Sequence, residues 1–201
     1  MAIEFSAEQR RALMGAARAS IRTALAGTWA PDGPASDDPA LLQPSGCFVT
    51  LHERGTHRLR GCIGRMQAEG PLIRTVHATA AGALEDPRFG DDRVTTGELP
   101  RLEMDISVLS PMAPAANTLD FDLLNDGILL TFGTRSGVFL PQVARETGWS
   151  KEQLLGRLCS EKMGLSPYVW QNPHARLMKF TSTIVGPEAF DADLAPPAGN
   201  V

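Results

Sequence analysis

The stretches Cys47–Glu53 and His57–Ile63 each alternate apolar with polar residues, and Arg54-Gly55 lies between them. A period of two puts the apolar side chains of an extended segment on one face. A glycine turn between two such runs predicts a β-hairpin. The register of that hairpin decides what surrounds Cys62, and the hydrophobic pattern selects it. A three-residue loop, Arg54 to Thr56, sets Leu51 opposite Leu59 and Cys47 opposite Ile63, with Phe48, Thr50 and His52 facing Cys62, Arg60 and Arg58. A two- or four-residue loop would instead mix apolar and charged residues on one face and bring Cys47 opposite Cys62. The preferred register therefore argues against a Cys47–Cys62 disulfide.

Other segments carry equally local signals. Ser6 with Gln9 fits a capping box, and Leu13, Ala17, Ile21 and Leu25 recur at helical spacing, which predicts a helix over about residues 7–26. Residues 28–44 are rich in Pro, Asp, Ala and Gly without periodicity and read as a surface loop. A second helix opens after Pro71, carries the stripe Leu72, Ile73, Val76, Ala80, Ala83 and Leu84, and stops at Asp86-Pro87. Residues 102–109 and 127–132 read as strands, the latter joined to Val138-Phe139-Leu140 through the turn Gly133 to Gly137. Pro141 to Glu146 begins a short helix closed by Gly148. Ser150 with Gln153 caps another, which Gly164 ends. Residues 176–185 form a last strand, and from Gly186 the loss of pattern predicts a flexible tail. The expected layout is one domain over residues 1–185 and a tail over 186–201.

The second strand contains Leu59-Arg60-Gly61-Cys62-Ile63-Gly64, with a thiol two residues from a guanidinium and flanked by glycines. A nearby permanent cation favours the thiolate, so Cys62 is a candidate nucleophile with Arg60 stabilising it. The competing reading is a small packed side chain beside glycines that relieve crowding. Among the histidines, His57 points away from Cys62, His52 lies nearer Arg58, and His77 falls on the core-facing side of its helix. Glu103 and Asp105 share one strand face with Ser107, and Glu85 and Asp86 end the helix. Glu103 or Glu85 is the candidate acid. Ion pairing with Arg58 and Arg60 is the structural alternative. Arg88, in Asp86-Pro87-Arg88-Phe89, ties down the following loop or binds a ligand. Arg135 and Ser136, in a two-glycine turn, offer a guanidinium, a hydroxyl and backbone N–H groups to an anion, or belong to a plain hairpin turn with a solvated arginine.

The hexapeptide is followed by Glu85-Asp86-Pro87-Arg88-Phe89, by Leu102 to Leu109, and by Arg135-Ser136-Gly137-Val138-Phe139-Leu140-Pro141-Gln142-Val143. In this order and spacing the four motifs resemble the AMMECR family, from about Gly46 to Phe180. The chain looks like the family's AmmeMemoRadiSam system protein A branch. The resemblance implies an α+β fold, with a largely antiparallel sheet, packed helices, and a larger and a smaller subdomain. It also implies a Memo-like protein and a radical S-adenosylmethionine enzyme as partners, and it brings no assigned reaction.

A chain of 201 residues, 43% hydrophobic, is long enough to bury its own core. Nineteen basic against 23 acidic side chains give a net charge of −4, which disfavours nucleic-acid binding. No apolar run approaches the length of a membrane span, and the first residues lack the apolar core of a signal peptide, so a cytoplasmic location is expected. Three cysteines without ligand spacing argue against a disulfide framework and a zinc site. No phosphate loop, dinucleotide fingerprint or Cys-x-x-Cys pair occurs, so no cofactor or metal is expected. Two function classes remain. One is an enzyme or covalent acceptor taking a small anionic substrate or a peptide between the subdomains, with Cys62, Arg60 and Glu103 catalytic and Arg58, Gly61, Gly64, Glu85, Arg88, Arg135 and Ser136 binding. The other is a non-catalytic adaptor that uses the same face to recognise its partners.

Overall fold

The computed structural model describes residues 3–68 and 70–191. In chain order its elements are α1 (Ala7–Leu25), α2 (Pro39–Leu42), β1 (Cys47–Glu53), β2 (Leu59–Arg65), α3 (Leu72–Ala83), β3 (Leu102–Leu109), β4 (Ala113–Pro114), β5 (Gly127–Phe132), β6 (Arg135–Phe139), α4 (Pro141–Thr147), α5 (Lys151–Arg157), β7 (Arg176–Phe180) and β8 (Ser182–Ala189). They divide between two units, one spanning Glu4–Leu109 and resuming at Thr183, the other spanning Ser110–Ser182. The fold is α+β, with antiparallel strand pairing in both units.

The larger unit is a sheet of order β2-β1-β3-β8. Alternation in β1 and β3 sends Cys47, Val49, Leu51, Met104, Ile106 and Val108 into the core, all fully buried. Helix α3 packs on β1 and β2, and α1 packs on α3. The capping box that starts α1 is present, Gln9 N–H donating to Ser6 Oγ at 3.2 Å and Ser6 N–H to Gln9 Oε1 at 2.8 Å. Its apolar stripe buries Leu13, Met14, Ala17 and Ile21. The long loop after α1 is interrupted by α2, capped by Asp38 through the Ala40 N–H at 2.8 Å.

The hairpin forms, but its register differs from the expected one by two residues. Cys47 lies opposite Arg65, Val49 opposite Ile63 and Thr50 opposite Cys62. A slip of two residues leaves every side chain on its own face, so the apolar pattern fits both registers equally well. Between Leu51 and His52 the pairing shifts, Leu51 opposing Gly61 and His52 opposing Leu59, which leaves Arg60 as the extra residue of a β-bulge. The alternation breaks there, and Arg60 is buried while Leu59 is only half-buried. In the turn, Gly55 at φ 81° and His57 at φ 54° occupy the left-handed region.

The last strand also differs. Residues 176–185 are two strands broken at Thr181, and Gly186, where a tail was expected to start, lies inside β8, which runs to Ala189 with Phe190 buried after it. Gly186 sits at φ 104°, where a Cβ would lie 2.7 Å from the Met104 carbonyl oxygen. Glu188 on β8 pairs with the buried Arg18 of α1 at 2.8 Å. Residues 192–201 of the expected tail lie outside the described residues.

The smaller unit has a sheet of order β4-β7-β5-β6. Its core gathers Ile128, Leu130, Phe139, Leu155, Leu158, Cys159 and Leu177, from the strands, α5 and the π-helical turn Leu158–Lys162 that continues α5, with Phe121 from the loop before β5. The unit begins and ends at one place. The Ser110 N–H donates to the Thr181 carbonyl at 2.9 Å, and the Thr181 N–H to Ser110 Oγ at 2.9 Å. Among the described residues, no helix is long and apolar enough to cross a membrane.

Candidate functional site

The two glycines of the hexapeptide are explained by packing. A Cβ on Gly61 would collide with the Ala83 carbonyl at the end of α3, and one on Gly64 would enter the Phe48 ring. Gly61 therefore faces the helix, away from Cys62, on the face that alternation gave it, and the binding role expected of it has no open space there to act from. What remains open on the other face is Cys62 itself, half-buried on an edge strand.

An edge strand exposes unpaired backbone groups that must be satisfied elsewhere. Here the Asp86-Pro87-Arg88 turn does it. The Cys62 N–H donates to Asp86 Oδ2 at 2.9 Å, and Arg88 Nη2 donates to the Cys62 carbonyl at 3.2 Å. The two side chains also bind each other, Arg88 Nη2 to Asp86 Oδ2 at 2.6 Å, while the Arg88 N–H caps Asp86 Oδ1 at 3.1 Å. The Arg88 guanidinium is the main reason the Asp86 carboxyl is held down at about 2, with burial opposing and the Cys62 and Arg88 N–H groups assisting. Reciprocally, Asp86 holds the Arg88 cation in place, and the Cys62 sulfur beside it adds to the effect. The guanidinium at the thiol is thus that of Arg88 and not that of Arg60.

Arg60 is occupied elsewhere. Its side chain is only 2% exposed, with Nη1 2.9 Å from Asp92 and Nη2 3.0 Å from Glu98, and the Phe89 ring lies under the guanidinium at 5.6 Å. Two carboxylates and an aromatic face account for this buried cation, so it anchors the loop after α3. Its proposed role as a thiolate stabiliser finds no contact. Arg58 pairs with Glu53 at 3.2 Å, and the exposed Glu85 pairs with Arg93.

On β3 the acids separate by register. Glu103 lies opposite His52 and takes His57 Nδ1 at 2.9 Å. Asp105 lies opposite Thr50, which itself lies opposite Cys62, so these three residues form one row across β2, β1 and β3. The Thr50 hydroxyl donates to Cys62 Sγ at 3.5 Å. Burial lifts the Asp105 carboxyl above the usual range, with His52, 3.7 Å away, pulling it down and Glu103 pushing it up. Two strand spacings put the outer residues of the row about 10 Å apart, with the Thr50 hydroxyl between them. Sequence reasoning ranked Glu103 above Asp105 and passed over Thr50. The signal for Thr50 was the register itself.

Arg135 and Ser136 belong to the smaller unit, in strand and not in a turn. They oppose Phe132 and Thr131, and the turn is only Gly133-Thr134, with Gly133 at φ 58°. Gly137 sits against Met163, Lys162 and Leu158. Of the two readings of this stretch, the structure has the hairpin turn. Among the described residues, no group of three or more His, Cys, Asp or Glu is placed to hold a metal ion.

Comparison with known proteins gives a consistent picture. A family model described as AMMECR1 matches residues 14–185. A protein of Thermofilum pendens is 32% identical over 89% of this chain and 90% of its own length. One from Methanothermobacter thermautotrophicus is 34% identical over 89% and 94%. The crystal structure of the uncharacterized protein PH0010 from Pyrococcus horikoshii superposes with a TM-score of 0.81 at 30% identity, covering 90% of this chain and 93% of that one.

Proposed function

The chain belongs to the AMMECR1 family, and from that premise we propose that it is a thiol-dependent protein that handles a small carbonyl-type substrate or a peptide on the β2-β1-β3 face. One observation carries the proposal: a half-buried Cys62 with a hydroxyl donor on its sulfur and a carboxyl of raised pKa in the same row. In this reading the Cys62 sulfur adds to the substrate's carbonyl carbon as the C=O π pair moves onto oxygen, the proton that leaves the thiol passes through the Asp105 carboxyl to that oxygen, Thr50 positions the sulfur, and Arg88 with Asp86 fixes the strand. Arg58, Arg60 and Arg88 are each paired with carboxylates, which supports a neutral substrate group over the small anion suggested by the sequence. The AmmeMemoRadiSam system protein A branch, with a Memo-like protein and a radical S-adenosylmethionine enzyme as partners, is the biological setting we propose, on the resemblance of the four motifs. A cytoplasmic location belongs to that setting.

The test is alkylation of each cysteine followed by peptide mass spectrometry across pH, in the native protein, Arg88→Met and Asp105→Asn. Cys62 is expected to react selectively over Cys47 and Cys159, and more slowly in both variants. A Cys62 as unreactive as Cys47 removes the thiol chemistry. The adaptor reading is favoured by one observation, the rigid Asp86–Arg88 clamp on the strand edge. Under it Cys62→Ser retains partner binding and Arg88→Met loses it.

A further inference from the structure

On the face of the larger sheet that carries Cys62, β1 presents Phe48, Thr50 and His52, and Phe48 is the apolar member of that row. Its cross-strand partner is Gly64, two residues beyond Cys62 on β2. A Cβ built on Gly64 would fall within the Phe48 ring, against its Cγ, Cδ1 and Cε1. The ring therefore leans off its own strand and lies over the Gly64 backbone, where a side chain of residue 64 would stand. Residues two apart on a strand are about 7 Å apart on the same face. The ring is thus the neighbour of the Cys62 side chain along β2, as Thr50 is its neighbour across the sheet.

An aromatic ring over a cross-strand glycine stabilises a sheet by packing alone. This one is marked by its place and its exposure. Phe48, Gly64, Cys62 and Thr50 are all half-buried on the same face. The other neighbour of Cys62 along the strand, Arg60, is buried in the bulge and held by Asp92 and Glu98. The surroundings of the sulfur therefore have two directions. Across the strands run the Thr50 hydroxyl and the Asp105 carboxyl, and along β2 lies an apolar ring that is still partly open. A molecule that reaches the sulfur meets a polar side and an apolar side roughly at right angles.

We infer that Phe48 is the specificity-determining residue of the Cys62 site, and that the substrate carries an aromatic or comparably bulky apolar group on its carbonyl carbon, laid against the Phe48 ring over Gly64. This rests on the thiol reading above and names its substrate class. The carbonyl oxygen of that substrate faces the Thr50 and Asp105 side, and the addition written above is unchanged. Gly64 contributes by having no side chain, since any Cβ there would push the ring off the strand.

The experiment measures the rate of Cys62 alkylation, by peptide mass spectrometry, with iodoacetamide and with 2-iodoacetanilide, which differ by a phenyl group on the amide nitrogen. In both, the thiolate sulfur displaces iodide, the C–S bond forming as the C–I bond breaks. Each rate is divided by that of glutathione with the same reagent, which removes intrinsic reactivity. Native Cys62 is expected to favour the anilide by at least about fivefold, the scale of one aromatic pair. In Phe48→Ala the ratio is expected to fall to about one, and Gly64→Ala, which keeps the ring and displaces it, is expected to lower it as well. A ring that served packing alone would change both rates together and leave their ratio. A native ratio near one, or a preference that Phe48→Ala retains with a cooperative thermal melt, overturns the assignment, and Cys62 then still reacts with iodoacetamide if the thiol reading holds. Should Phe48→Ala not fold, a preference retained in Gly64→Ala overturns it. A Cys62 inert to both reagents overturns the thiol reading and this inference with it.

Discussion

Cys47 sits in β1 beneath α3, fully buried, its sulfur 3.6 Å from Thr79 Oγ1, and burial pushes its thiol up to about 11. Cys62 sits on the neighbouring strand and the opposite face, half-buried, with Thr50, Arg88 and Asp86 around it. The same residue type, within one hairpin, is a core hydrophobe in one place and a polar-contacted thiol in the other. What separates them is the period of two: odd positions meet a helix, even positions meet a row of polar side chains. The comparison shows that flanking glycines say little about cysteine chemistry, because Gly61 serves the Cys47 face.

The sharpest way to break this contrast is at the glycines. Gly61→Ala forces a Cβ onto the Ala83 backbone carbonyl, and is expected to cost about 3 kcal/mol in a denaturant titration. Gly64→Ala meets the Phe48 ring, its Cγ included, so that the side chain and not the backbone must move aside, and is expected to cost about 1 to 2 kcal/mol. Equal costs would mean that the two faces are not differently constrained.

Next comes the clamp on the Cys62 edge. The Asp86 carboxyl falls from 3.8 unfolded to about 2 folded, so its contribution is present above pH 3.8 and is lost as the pH falls through 2. Asp86→Asn is expected to lose about 2 kcal/mol at pH 7 and to show a flatter stability profile between pH 4 and 2. A native protein with no such acid limb would place the clamp outside the stabilising framework.

The cysteines themselves give a smaller effect. Cys47→Ser buries a hydroxyl in an apolar layer and is expected to lose about 1 to 2 kcal/mol, against less than about 0.5 kcal/mol for Cys62→Ser, by thermal unfolding. The smallest effect carries the opposite sign. Asp105 has a raised folded pKa, so its contribution to stability is complete below 3.8 and declines as the pH rises through the folded value. Asp105→Asn is therefore expected to be slightly more stable than the native protein at pH 7 and equal to it below pH 4. A loss at pH 7 would show that the His52 contact outweighs burial.

The local signals were legible in the chain: the Ser6 and Ser150 caps, the strand at residues 102–109 and the helix after Pro71 all occur as read. The hairpin register was not, because patterning fixes only which face a residue takes, and a two-residue slip preserves that. The bulge at Arg60 follows from tertiary demand. The carboxylates that hold Arg60, Asp92 and Glu98, come from a loop and a short 3-10 helix, 32 and 38 residues away, where no hydrophobic period marks them. Strand β8 was hidden by Gly186-Pro187, a pair that reads as loop and here occupies a strand against β3. The candidate row Cys62, Thr50 and Asp105 is likewise a product of register, visible only once three strands are aligned.

The paired hydrogen bonds between Ser110 and Thr181 bring the entry and the exit of the smaller unit to one point. In topological terms that unit is a parenthesis, opened after β3 and closed before β8, inside a sentence that reads continuously without it. A graft that joins Leu109 to Thr183 through a short turn would keep β3 and β8 as sequence neighbours. The parenthesis could then be exchanged between relatives as a cassette, leaving the sheet that carries Cys62 in its own grammar.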